Sequence, residues 1–143
     1  MRVLGIDYGA RRIGLALSDA TATLASPWRL IERPASSQDT ITLLVREIQQ
    51  LIESEDGLGA VVVGWPRRLD GTPTGQTSAV ENLVHALELR FEIPVILQDE
   101  RLSSHEADAR LASSERDWRR RKKKLDAAAA AIVLQDYLDE RRG

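Results

Sequence analysis

The chain contains no cysteine. That excludes disulfides, thiolate metal sites and cysteine nucleophiles, and it suits a reducing compartment. Only two histidines are present, His85 and His105, and neither has metal-site spacing: one falls in an amphipathic helical stretch, the other inside a helix-capping turn. No apolar run approaches the ~20 residues of a membrane span. The apolar stretch near the N-terminus is interrupted by Asp7, Arg11 and Arg12, which is not the pattern of a secretion signal. A soluble, cytoplasmic protein with no membrane partner is expected. Internal repeats and interdomain linkers are also lacking, so the 143 residues, 43% hydrophobic and 29% charged, are expected to form one domain over 1–143.

An excess of one charge is lacking too, since the formal net charge is only −2. The global balance therefore gives no argument for a nucleic-acid partner, but the distribution does. Between Arg110 and Lys124, eight cations stand against Glu115 and Asp117, whereas between Leu30 and Ala60 two cations stand against six acids. Arg119, Arg120, Arg121, Lys122, Lys123 and Lys124 form an unbroken basic run. Taken alone, such a run is as well explained by a solvated loop as by a phosphate contact.

What is present begins with Val3-Leu4-Gly5-Ile6-Asp7-Tyr8-Gly9, continuing through Arg11-Arg12 to Ile13-Gly14-Leu15-Ala16-Leu17. Two apolar runs joined by a Gly-bounded turn predict a hairpin. After a break at Ser26-Pro27, Trp28 to Ile31 reads as a third strand. Ser36 or Ser37 caps a helix whose apolar positions are Ile41, Leu44, Val45, Ile48, Leu51 and Ile52, ending at Gly57. Val61 to Trp65 lacks alternation, as a parallel strand covered on both faces does. A polar loop over 66–75, a helix with Val80, Leu83, Val84, Leu87 and Phe91 buried, and a strand from Val95 into Asp99-Glu100 follow. Ser103 with Glu106 is a capping-box pattern for a helix reaching Leu111. Leu125-Asp126-Ala127 opens the last helix, which ends near Asp139. Three antiparallel strands followed by right-handed crossovers predict an α/β fold: an RNase H-like mixed five-stranded sheet flanked by helices on both faces.

Three carboxylates stand where apolar runs end: Asp7, then Asp99 or Glu100, then Asp126. Each has a plain explanation, as a turn acceptor, a partner of Arg101 or a first-turn helix acid respectively. Together they suggest more. Ends of neighbouring strands lie ~5 Å apart, and carboxylates that close raise one another's pKa unless cations intervene. Mg²⁺ or Mn²⁺ suits such a hard oxygen cluster, and two such ions can clamp the attacking water and the leaving oxygen in phosphodiester cleavage. The basic run directly precedes Asp126, where it would hold a phosphate backbone beside the metals. Arg11, Arg12, Arg67 and Arg68 extend that surface, and Trp65 is either core or a base-stacking platform.

Gly5-Ile6-Asp7-Tyr8-Gly9 with Arg12-Ile13-Gly14-Leu15-Ala16, Val63-Gly64-Trp65-Pro66 with Asp70-Gly71, Asp99-Glu100-Arg101-Leu102-Ser103-Ser104, and Lys124-Leu125-Asp126 with Ala128-Ala129 and Ile132-Val133-Leu134-Gln135 together resemble the YqgF family. These are bacterial Holliday-junction-resolvase-like proteins, also described as pre-16S rRNA nucleases, with an RNase H-like fold. The resemblance implies a metal-dependent nuclease that matures the 5′ end of 16S rRNA, acting on structured RNA, with branched DNA as the alternative substrate. It implies Asp7, Glu100 and Asp126 as the catalytic and metal-binding acids, pre-ribosomal particles as partners, and a monomer or homodimer. A non-catalytic nucleic-acid-binding or ribosome-assembly module is the competing class. The chain departs from the family where Leu-Pro is commonly followed by Asn-Met: here Trp65-Pro66 is followed by Arg67-Arg68. Asp7-Tyr8-Gly9 is also similar to the first phosphate loop of actin-like sugar kinases, which close two such domains around a nucleotide.

Overall fold

The computed structural model describes residues 1–65, 77–99 and 118–142, with 118–127 and 142 described by backbone course alone. Strands β1 (Arg2–Tyr8), β2 (Arg12–Ser18) and β3 (Ala25–Glu32) precede helix α1 (Ser37–Glu53). Strand β4 (Leu58–Trp65), helix α2 (Thr77–Glu88), strand β5 (Val95–Asp99) and helix α3 (Trp118–Arg142) follow. The sheet order is β3-β2-β1-β4-β5. β1, β2 and β3 pair antiparallel, whereas β4 runs parallel to β1 and β5 parallel to β4. This is the mixed five-stranded sheet expected from the order of apolar runs.

Period-two alternation gives each strand two faces. Leu4, Ile6 and Tyr8 of β1, with Ile13, Leu15, Val61 and Val63, pack under α1 and α2. Val3, Ala16, Ala60 and Val62 pack under α3 against Ala130, Val133, Leu134, Tyr137 and Leu138. Helices therefore cover both faces, which is why Val61-Val62-Val63 reads as continuous apolar sequence and is wholly buried.

Helix α1 begins as its serines suggest: the Ser36 hydroxyl accepts a hydrogen bond from the Asp39 amide at 3.0 Å. It ends at Glu53, and Gly57 then turns the chain with φ of +66°, a conformation glycine adopts without strain. Helix α2 stops at Glu88, so Phe91 packs against the core from beyond the helix rather than as its last turn.

Two boundaries differ from expectation. β3 begins at Ala25, not Trp28, and carries Pro27 within it. The ladder steps from Leu15–Arg29 to Ala16–Pro27, so Trp28 is the extra residue of a bulge on an edge strand, one of the few places a sheet tolerates proline. The last helix begins at Trp118, seven residues before Leu125, and runs to Arg142. Arg119 to Lys124 is therefore helical, not a loop, because arginine and lysine are good helix formers and no glycine or proline interrupts the run. The expected helix from Ser103 to Leu111 and the 66–75 loop lie outside the described residues.

Candidate nucleic-acid-cleaving site

The C-terminal ends of β1, β4 and β5 lie together at one end of the sheet, the end where open α/β sheets place their ligands. Asp7 is there, half-buried, one residue before β1 ends. Gly5 faces α3 so closely that an added Cβ would lie 2.8 Å from the Leu134 Cβ and 3.1 Å from the Ala130 carbonyl oxygen. By alternation, Asp7 shares that α3 face.

Both positions beside Asp7 in the sheet are glycines. Gly14 of β2 is its direct partner across the antiparallel ladder. On the other side Ile6 pairs with Val63, so the next residue of β4, Gly64, stands level with Asp7. Neither neighbour places a side chain of its own beside the carboxylate.

Helix α3 approaches this end along β1. Its last turns meet Val3 at Tyr137 and Leu138, and one to two turns earlier it meets Gly5 at Leu134 and Ala130, so helix and strand run antiparallel. Position 126 is four residues before Ala130, ~6 Å along the axis. Asp7 is two residues beyond Gly5, ~6.6 Å along the strand. Helix and strand thus carry positions 126 and 7 toward the same end, and 119–124 lies further out on the same helix.

Asp99 belongs to the other face. It pairs with Trp65, and both follow the alternation of Val95, Leu97 and Val63, which pack under α1 and α2. Gln98, by contrast, donates to the Glu140 carboxylate of α3 at 3.1 Å. Asp99 is therefore not on Asp7's side of the sheet. Glu100 itself, with Arg67 and Arg68, lies outside the described residues. Among the described residues no group of three or more His, Asp or Glu side chains forms a metal site.

Trp65 is half-buried and packs against the α1–α2 core, so the core explanation of this tryptophan holds. Arg12 lies on Asp7's face, two residues nearer the sheet end than Gly14, with Glu32 at 4.0 Å. Arg11 is exposed on the β1–β2 turn. That turn is tight: the Gly9 amide donates to the Arg12 carbonyl at 3.0 Å, and a Cβ on Gly9 would meet that oxygen at 2.6 Å. Arg33, which sequence reasoning missed, grips the same turn. It donates from Nη1 to the Gly9 carbonyl at 3.0 Å, and its guanidinium lies 4.1 Å from the centre of the Tyr8 ring. No periodicity marks Arg33; the only sequence signal is a cation one residue beyond the strand paired with this hairpin.

The chain is similar to known proteins in sequence and in fold. A family model described as RuvX: Holliday junction resolvase matches residues 1–140. A Maridesulfovibrio salexigens protein named "Putative pre-16S rRNA nuclease" is 41% identical over 138 residues, covering 96% of this chain and 98% of its own length. Among solved structures, T. thermophilus RuvC in complex with Holliday junction substrate superposes with a TM-score of 0.57 at 19% identity, covering 100% of this chain and 97% of that one. The ROK hexokinase from Thermus thermophilus gives a TM-score of 0.50 at 20% identity, over 78% of this chain but only 38% of the kinase.

Proposed function

The chain belongs to the RuvX family of Holliday junction resolvases, and from that premise we propose that it is a divalent-metal-dependent nuclease that trims the 5′ end of pre-16S rRNA. The observation that carries this reading is the antiparallel course of α3 along β1, which brings position 126 toward Asp7 at the C-terminal end of the parallel strands.

The donor set fits a hard cation. Asp7 is a half-buried carboxylate with a glycine opposite it and another level with it on the next strand, so neither neighbouring side chain would compete with an ion for it. Asp126 would approach from α3. Glu100, which follows Asp99 in sequence, would be the third acid. Mg²⁺ or Mn²⁺ held by these three acids would supply Lewis acidity to the phosphodiester and lower the pKa of the attacking water, in the two-ion mode if both positions fill. Asp7, as the central carboxylate, would orient both sides of the site. Arg11, Arg12, Arg67 and Arg68 on the strand side and Arg119 to Lys124 on α3 would hold the backbone by phosphate contacts, which fix register without reading sequence.

The helical state of 118–126 favours this reading over a passive charged tail. A helix fixes the spacing between its basic run and position 126, so phosphate capture and chemistry are coupled through one rigid element. No helix among the described residues is long and apolar enough to cross a membrane, and a role in the cytoplasm beside pre-ribosomal particles is part of the same proposal.

A four-way DNA junction is the second substrate reading, favoured by the likeness to RuvC in fold. Cleavage of a precursor 16S RNA, an unrelated single-stranded RNA and a four-way DNA junction, each in Mg²⁺ and in Mn²⁺, separates the two. Preferential cut of the precursor supports the rRNA role. Preferential symmetric cut of the junction, from a dimer in solution, would replace it.

A further inference from the structure

We propose that Arg33 is a positioning residue that locks the β1–β2 turn and thereby fixes where Asp7 stands; this rests on the metal-site reading of Asp7 given above. Three contacts converge on one turn. The Arg33 amide extends the β2–β3 ladder by donating to the Arg11 carbonyl at 2.9 Å. Its side chain then reaches over the turn to the Gly9 carbonyl at 3.0 Å. Its guanidinium covers the Tyr8 ring at 4.1 Å, and Tyr8 is only 5% exposed. A single residue thus holds the residue after Asp7, the residue after that, and the far side of the turn.

The direction of approach matters. Ile31 of β3 packs under α1, so alternation puts Arg33 on the α1–α2 face with Tyr8, whereas Asp7 is on the α3 face. Arg33 therefore supports the site from behind and acts through Tyr8 and Gly9, not on a substrate phosphate. Without it the turn would keep the Gly9–Arg12 hydrogen bond and the ladder but lose its cover, and Gly9, the residue least restrained by its own chemistry, would be freed to move Asp7. A cation over a shielded ring next to a charge-assisted bond to a carbonyl is a well-defined anchor, because the planar fork satisfies both contacts at once.

The test compares wild type, Arg33→Met, Arg33→Lys and Asp7→Asn. Arg33→Met keeps the apolar stem and removes the fork; Arg33→Lys keeps a cation and one donor. Amide hydrogen exchange at Gly9 should quicken on the order of tenfold in Arg33→Met, with core amides unchanged, and return most of the way in Arg33→Lys. On RNA, kcat should fall about tenfold with KM and the salt dependence of binding unchanged, the pattern of a misplaced catalytic group. If Arg33 instead touched phosphate, KM would rise and the log–log salt slope would drop by about 0.7; that result, or unaltered exchange at Gly9, overturns the proposal. Asp7→Asn keeps the two readings apart. If Asp7→Asn cleaves like wild type, the metal site falls, while exchange at Gly9 still decides whether Arg33 holds the turn.

Discussion

Asp7 and Gly14 face one another across β1 and β2, so the carboxylate looks across the ladder at a position with no side chain. Cross-strand Cβ atoms on one face lie ~4.5–5.5 Å apart, so a side chain added at Gly14 would stand beside that of Asp7. Gly14 is buried. Gly14→Val should therefore lower cleavage at least about tenfold, by crowding the proposed metal ligand. Steady-state cleavage with a thermal melt alongside checks this: the activity loss should exceed what any fall in folded fraction explains.

Gly5 has a different role, because α3 rests on it. An alanine Cβ would sit 2.8 Å from the Leu134 Cβ, and neither backbone can yield without moving the helix. Gly5→Ala should cost roughly 1–3 kcal/mol in chemical denaturation, the usual range for overpacking. Because α3 also carries position 126, the residual folded protein should cleave more slowly than wild type.

The sheet, its order of elements and both helical faces were legible in the sequence, since buried runs such as Val61-Val62-Val63 and the stripe from Ile41 to Ile52 have unambiguous periods. The start of α3 was not. Arg119 to Lys124 has no apolar positions, so its helicity comes from propensity and from continuity with the buried turns after Ala128, neither of which appears as a hydrophobic pattern. Pro27 read as a boundary because its compensating bulge depends on the partner strand. The face that Asp99 takes needed register, since it is read only from the pairing with Trp65. Arg33 is further still from legibility, as its contacts join β3 to a turn more than twenty residues earlier.

The basic run, being helical, can be neutralised without breaking its element. Arg120, Arg121 and Lys122 changed together to glutamine keep high helix propensity. Binding of RNA should weaken equally for unrelated sequences, and the slope of log affinity against log salt should fall by about 0.7 for each phosphate deprived of its cation. Titrations at several salt concentrations measure it directly.

At the opposite end of the sheet, Asp19 organises the β2–β3 turn. Its carboxylate accepts from the Thr21 hydroxyl at 2.7 Å and from the Thr23 and Leu24 amides at 2.7 and 3.0 Å. These bonds, the Thr21 one first, favour the ionised form and lower its pKa from 3.8 to about 2. The folded value lies below the unfolded one, so its stabilising contribution is complete above pH 3.8 and is lost as pH falls through about 2. A carboxyl chemical-shift titration should find a midpoint near 2; a midpoint near 4 would show that the turn is not held this way.

The metal role of Asp7 is tested most directly by single-turnover cleavage of a precursor 16S 5′-end RNA in Mn²⁺, wild type against Asp7→Asn, with Mn²⁺ affinity measured calorimetrically on the same samples. The expected result is loss of Mn²⁺ binding together with a rate fall exceeding about a hundredfold, beyond what losing an outer-shell partner costs. Asp7→Asn that binds Mn²⁺ and cleaves at the wild-type rate would contradict the proposed site.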